Sequence, residues 1–226
     1  ITPSQSTEWW SSNDPQQSCY NQQWLGEFRG MIKALVHAHI PFDVLTSPRL
    51  TLADLSRYRV LIMPDVEAVS DEEAGLMREF VTRGGAVIAT GPNPTGWNQV
   101  GDLRADWALA DVFGLRKSEP LPASRENAFG QGRSFFFSDL LGGQYLRSSS
   151  AAALASLVSA VVAVSPPKFT LTGDRRIQVE AKALGNETLL HLLNFSQFGS
   201  VPVPFAGLPQ SVALSVAIPP EKMLGK

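Results

Sequence analysis

Two carboxylates, Asp65 and Glu67, stand two residues apart just after an apolar run, Tyr58-Arg59-Val60-Leu61-Ile62-Met63. A pair so placed could do acid–base work if it lined a cleft. The competing reading is a solvated loop running into the next helix. A second loop, Gly91-Pro92-Asn93-Pro94-Thr95-Gly96-Trp97, follows the next apolar run, Ala86-Val87-Ile88-Ala89-Thr90. A phosphate cradle needs successive free amides at a helix start, and its two prolines remove two of them. It is therefore neither a P-loop nor a dinucleotide fingerprint. A nucleophile elbow would place Ser or Cys on the turn after this strand, and the residues there are Thr90 and Gly91. The single cysteine, Cys19, lies in an early polar stretch without a nearby base, and it excludes both an internal disulfide and a cysteine-based zinc site. The three histidines, His37, His39 and His191, are dispersed. No Ser-His-Asp or Cys-His arrangement rises above chance, and we expect no catalytic residue, no metal and no cofactor in this chain.

Open α/β sheets bind ligands at the carboxyl ends of their strands. Any small-molecule site is thus expected near Asp65, Glu67, Asn93 and Trp97. Of the five tryptophans, Trp24 and Trp107 fit helix core positions, whereas Trp9, Trp10 and Trp97 fall in loop sequence. Loop tryptophans pack onto a core or mark an interface or a sugar platform. Trp9 and Trp10 are the interface candidates.

The elements that must position these residues follow from periodicity. Trp24, Phe28, Met31, Ile32 and Leu35 recur at helical spacing, and Pro41 closes that helix. Phe42 to Leu45 reads as a short strand, Thr51 to Arg57 as a helical turn. Ser70-Asp71-Glu72-Glu73 is a capping box, with Leu76, Met77, Phe80 and Val81 as the buried stripe and Gly84-Gly85 as the stop. Strand, capped helix and strand at this spacing form a βαβ unit, hence a parallel sheet. Asp106 to Phe113 reads as a short helix, Arg133 to Phe137 as a strand, and Ser149 to Val164 as a further helix. After Ser165-Pro166-Pro167 the pattern changes to strict alternation: Ile177, Val179, Ala181 and Ala183 against Arg176, Gln178, Glu180 and Lys182. Gly185-Asn186 suits a hairpin turn between that strand and Glu187 to Phe195. Val201 to Ile218 adds one or two strands. We expect an α/β domain over residues 1–165 and an antiparallel β segment over 166–226.

Composition bounds the function. The 226 residues are 44% hydrophobic and 18% charged, with a net charge of −2. Such a chain folds rather than staying disordered, and it lacks the basic face that nucleic acid requires. No apolar run reaches the roughly 18 residues of a membrane span. Ile1-Thr2-Pro3-Ser4 does not read as a signal peptide; the compartment stays open.

Taken in order, Ile40 to Leu45, Tyr58 to Pro64, Leu76 to Val81, Gly84 to Gly91 and Ala108 to Gly114 resemble the trimerisation domain of family 42 glycoside hydrolases, the bacterial β-galactosidase type. Leu189 to Asn194 is similar to the opening of the β-domain that follows it. The resemblance implies a flavodoxin-like, class I glutamine amidotransferase-like fold, a parallel sheet with flanking helices and then a small antiparallel β segment. It also implies a non-catalytic module, since in that family the catalytic glutamates sit on a separate (β/α)₈ barrel. The amidotransferase triad is not matched. The resemblance implies a homo-oligomer, or contact with a catalytic barrel absent from this chain. A sugar-binding or other small-molecule module is the second reading, and an amidotransferase-like or α/β hydrolase enzyme the least favoured.

Overall fold

A computed structural model describes residues 22–45, 50–167, 170–173, 175, 177–184, 187–194 and 214–217. These group into two compact units. One is built from described residues within Ile1–Ile32 and Val44–Ser165, the other from those within Lys33–Asp43 and Pro166–Lys226.

The first unit carries a four-stranded sheet of β1 (Val60–Pro64), β2 (Ala86–Thr90), β4 (Gly132–Phe137) and β3 (Ser124–Phe129), in that spatial order. As the capped βαβ pattern requires, β1 and β2 are parallel neighbours, with Val60 opposite Ala86 and Pro64 opposite Thr90. β4 runs parallel on the other side of β2, and β3 closes that edge as an antiparallel strand. β2 is buried at all five positions, as expected of an inner parallel strand covered on both faces.

Alternation divides its side chains. Leu61, Met63, Val87, Ala89 and Phe136 belong to one core cluster with Met77, Phe80 and Val81 of α3 (Asp71–Thr82) and Val112 and Phe113 of α4 (Ala110–Phe113). Fully buried Ile88 alternates with them, and α6 (Ala151–Val164) packs against β2. The capping box forms: Ser70 Oγ accepts from the Glu73 amide at 3.1 Å, and Glu73 Oε2 accepts from the Ser70 amide at 2.8 Å. At the far end of α3 Gly84, at φ +99°, completes a Schellman turn: its amide and that of Gly85 donate to Val81 O and Phe80 O. The turn predicted around Thr51 is α2 (Leu52–Leu55), with its own capping box from Thr51 and Asp54.

The structure departs from the sequence reading in four places. Residues 41–45 form no strand; Val44 is 49% exposed and Pro41 offers no amide donor, so nothing there pays the entropy of ordering a strand. The helix expected from Asp106 begins only at Ala110, because Asp106 Oδ1 is taken by the Trp107 and Lys117 amides. β3 was not foreseen. Its sequence Ser-Arg-Glu-Asn-Ala-Phe is polar, as an exposed edge strand allows. A two-residue turn, Gly130-Gln131, pairs it with β4, and Gly130 takes the positive φ that this turn demands. Finally, α5 (Leu141–Ser148) precedes α6 as a separate helix, ending at left-handed Ser149.

α1 (Gln22–His37) ends in a second Schellman turn, with left-handed His39 in the glycine position. In the second unit His39 Nδ1 lies 3.0 Å from the Ile177 carbonyl. There β6 (Ile177–Leu184) pairs antiparallel with β7 (Glu187–Asn194), and β5 (Thr170–Gly173) with β8 (Leu214–Ala217). Ile177 and Val179 are buried on the predicted inner face, while His191 is exposed. Asn186 and Gly185 lie outside the described residues.

Candidate functional site

At the carboxyl edge of the sheet three polar side chains lie buried together: Glu27, Asp65 and Thr90, each 1% exposed or less. Thr90 ends β2 and Asp65 follows β1, so the parallel pairing sets them side by side. The Asp65 amide donates to Thr90 O at 3.1 Å and to Thr90 Oγ1 at 3.3 Å. Asp65 adopts φ +48°, a left-handed conformation unusual outside glycine but tolerated by aspartate. Gly91, at φ +106°, makes room for it: a Cβ there would collide with Asp65 Oδ1.

Glu27 comes from α1. Its Oε1 accepts from Thr90 Oγ1 at 2.7 Å and from the Gly142 amide at 3.1 Å. Its Oε2 accepts from the Gly143 amide at 2.7 Å. Gly142 and Gly143 open α5, whose own N-cap, Leu140, has no side-chain bond to give. Glu27 therefore caps α5 from another helix, placing its carboxylate at the positive end of that helix dipole. The helices can approach this closely because their facing residues lack side chains. A Cβ on Gly30 would fall on the Gly142 carbonyl, and one on Gly142 would fall on the Glu27 carbonyl.

The electrostatics are costly. Burial pushes the Glu27 carboxyl above its ordinary range, against the pull of the Gly143, Thr90 and Gly142 donors, and the Asp65 charge adds to the rise. Burial likewise raises Asp65, which receives only the Gln23 amide at 3.0 Å on Oδ2 in partial offset. Its Oδ1 is buried without a partner among the described residues.

Of the residues singled out in the sequence, Asp65 and Glu67 are buried, Glu67 at 7% exposure. Asn93 and Trp97 are half-buried. The Asn93 carboxamide lies against Gly96, where an added Cβ would collide with it. Trp97 bridges the two loops, its amide donating to Glu67 O at 3.0 Å and its carbonyl accepting from Val69 at 3.2 Å. Trp9, Trp10 and Cys19 lie outside the described residues. Trp24 is buried and stacked on Phe28 at 5.2 Å. Glu27, which sequence reasoning missed, carried a signal. It lies three residues after Trp24 and four before Met31, so a carboxylate interrupts the apolar face of α1, and buried carboxylates need partners.

Among the described residues no group of three or more His, Cys, Asp or Glu could hold a metal ion. No helix among them is long and apolar enough to cross a membrane. At the turn where an elbow nucleophile would stand, β2 ends on Thr90, whose hydroxyl donates to Glu27, and Gly91 follows it.

A model of the β-galactosidase trimerisation domain matches residues 5–156. The chain belongs to that family. No protein with a curated description matches. Among solved structures this chain is similar to Gan42B, a GH42 β-galactosidase from G. stearothermophilus, at 18% identity and a TM-score of 0.58, covering 83% of this chain and 33% of that one. A β-galactosidase from Bacillus circulans sp. alkalophilus aligns at 18% identity and 0.55, over 80% and 33%. One from the haloarchaeon Halorubrum lacusprofundi aligns at 12% and 0.52, over 94% and 38%. These likenesses establish the α/β fold. The chain spans about a third of the length of those proteins.

Proposed function

We propose that this chain is the non-catalytic assembly module of a glycoside-hydrolase-like protein of the β-galactosidase type. It holds protomers together, with an α/β domain over residues 1–165 and a β segment over 166–226. The observation that carries the reading is the use made of the carboxyl edge. Where a catalytic relative of this fold class would expose a nucleophile, Thr90 donates to Glu27, and Glu27 also accepts from two amides of α5. A carboxylate with three of its four acceptor sites taken by the fold's own donors fastens the fold and is poorly placed to act on a substrate. The family match supports the assembly role.

Sedimentation across a hundredfold concentration range tests that role, alongside glycosidase, glutaminase and esterase assays. The expected result is concentration-dependent association without turnover. A strict monomer would remove the assembly reading, and turnover by the purified chain would remove the non-catalytic one. A carbohydrate site at Asp65, Glu67, Asn93 and Trp97 is the subordinate reading, supported by the orphan Asp65 Oδ1. Saccharide titration followed by tryptophan fluorescence and NMR tests it.

A further inference from the structure

A closed threefold assembly requires something a twofold dimer does not. Each protomer must present two different surfaces that complement one another, because the contact is head-to-tail. The first unit carries one projecting surface and one concave one, at opposite edges of its sheet.

The projecting surface is the loop from Trp97 to Arg104, beyond the carboxyl ends of β1 and β2. Its tip bears Val100 and Leu103, 65% and 59% exposed, the most exposed large apolar side chains among the described residues. Asn98 ties the loop into a fixed shape. Its Oδ1 accepts from the Val100 and Asp102 amides at 3.0 and 2.8 Å, and its Nδ2 donates to Asp102 Oδ2 at 3.1 Å. Arg104 anchors the base, donating to Val69 O at 2.9 Å and pairing with Asp71 at 2.6 Å. Two apolar tips on a pre-ordered loop with an acidic residue between them suit binding, since little ordering entropy remains to be lost.

The concave surface lies at the amino ends of β1 and β2. A cleft of about 420 Å³ is lined by Leu52, Tyr58, Arg59, Phe80, Arg83 and Gly84, among others. Leu52 and Phe80 supply apolar wall, and Gly84 and Gly85 leave the mouth unobstructed. Arg59 is exposed and has no side-chain partner among the described residues. Among the described residues Arg83 pairs only with Glu79 of α3, at the surface.

We propose that Val100 and Leu103 of one copy seat in this cleft of the next, with Asp102 facing Arg59 and Arg83. The inference rests on the assembly reading above and specifies its contact. A projecting apolar and acidic tip meets a concave apolar and basic socket, the heterologous kind of contact that a threefold ring is built from.

Charge substitution in the full chain, followed by sedimentation, tests the proposal. Val100→Arg places a cation against Arg59 and Arg83, and Arg59→Glu places an anion against Asp102. Each alone is expected to weaken association about tenfold or more. The double variant, in which every contact sets the new cation against the new anion, is expected to recover it. Unchanged circular dichroism and urea midpoints show that folding is intact, since both side chains are exposed. An assembly indifferent to both substitutions would overturn this contact and leave the assembly reading standing. A wild-type chain that stays monomeric would overturn both.

Discussion

Glu27 and Gly143 are 116 positions apart in sequence, and a 2.7 Å hydrogen bond joins the carboxylate of one to the amide of the other. Through this bond and its companion to Gly142, α1 supplies the cap that α5 lacks. Glu27→Ala removes three accepted bonds at once and strands two buried amides and a hydroxyl. The expected loss is about 3 kcal/mol, read from urea unfolding. Glu27→Gln is expected to fall between, because its amide group can serve only part of the same donor set.

The Gly30–Gly142 contact predicts a second sensitivity. Alanine at either position drives a methyl group into backbone on the facing helix, which cannot swing aside as a side chain would. Either substitution is expected to cost about 2–3 kcal/mol or more. Alanine at Gly75 of α3, where an added Cβ meets nothing within 4 Å, is the control and should be neutral or mildly stabilising. Parallel thermal melts of the three variants check the contrast.

The raised carboxyls set a pH dependence. Folded Asp65 and Glu27 both hold their protons to higher pH than they do in the unfolded chain. Between the unfolded and folded values the native state binds more protons, so this contribution to stability falls as pH rises above about 4. Asp65→Asn keeps a side chain that tolerates positive φ and cannot ionise. It is expected to flatten that slope, exceeding wild type in urea midpoint at pH 8 and converging with it near pH 4. A slope unchanged in Asp65→Asn would place the proton elsewhere.

Ser70→Ala breaks the reciprocal capping of α3, leaving the Glu73 amide without its acceptor. A loss of about 1 kcal/mol is expected. α3 covers one face of the sheet, so the loss should appear as a lowered global midpoint and not as local fraying. Hydrogen exchange along β1 and β2 provides the check.

Much of the sheet was readable in sequence because its signals are local. Ser70, Glu73 and Gly84 mark the limits of α3, and the apolar runs of β1 and β2 announce buried parallel strands without any partner in view. β3 was not readable because an edge strand needs no apolar pattern; only its pairing with β4 defines it. Residues 42–45 show the converse, an apolar sequence that finds no sheet neighbour among the described residues. At the candidate site, Asp65 was visible by its place after β1. The partners that explain it, Thr90 and Gln23, are set by register and by a helix far away in sequence. Glu27 was discoverable only as a misfit on an apolar face, and Gly142-Gly143 not at all, since two glycines in a row usually signal a loop.

The trans-acting cap also bears on the order of events as the polypeptide is made. α1 leaves the ribosome more than a hundred residues before Gly142 and Gly143 exist. Until they arrive, the Glu27 carboxylate has no reason to leave water, and the end of α1 that carries it has no fixed seat. Closing so long a loop is entropically late. Its bonds thus belong to the finished molecule more than to the folding barrier. Their loss should leave the rate of folding nearly untouched and accelerate unfolding, so α5 acts as a latch on lifetime once everything upstream is in place.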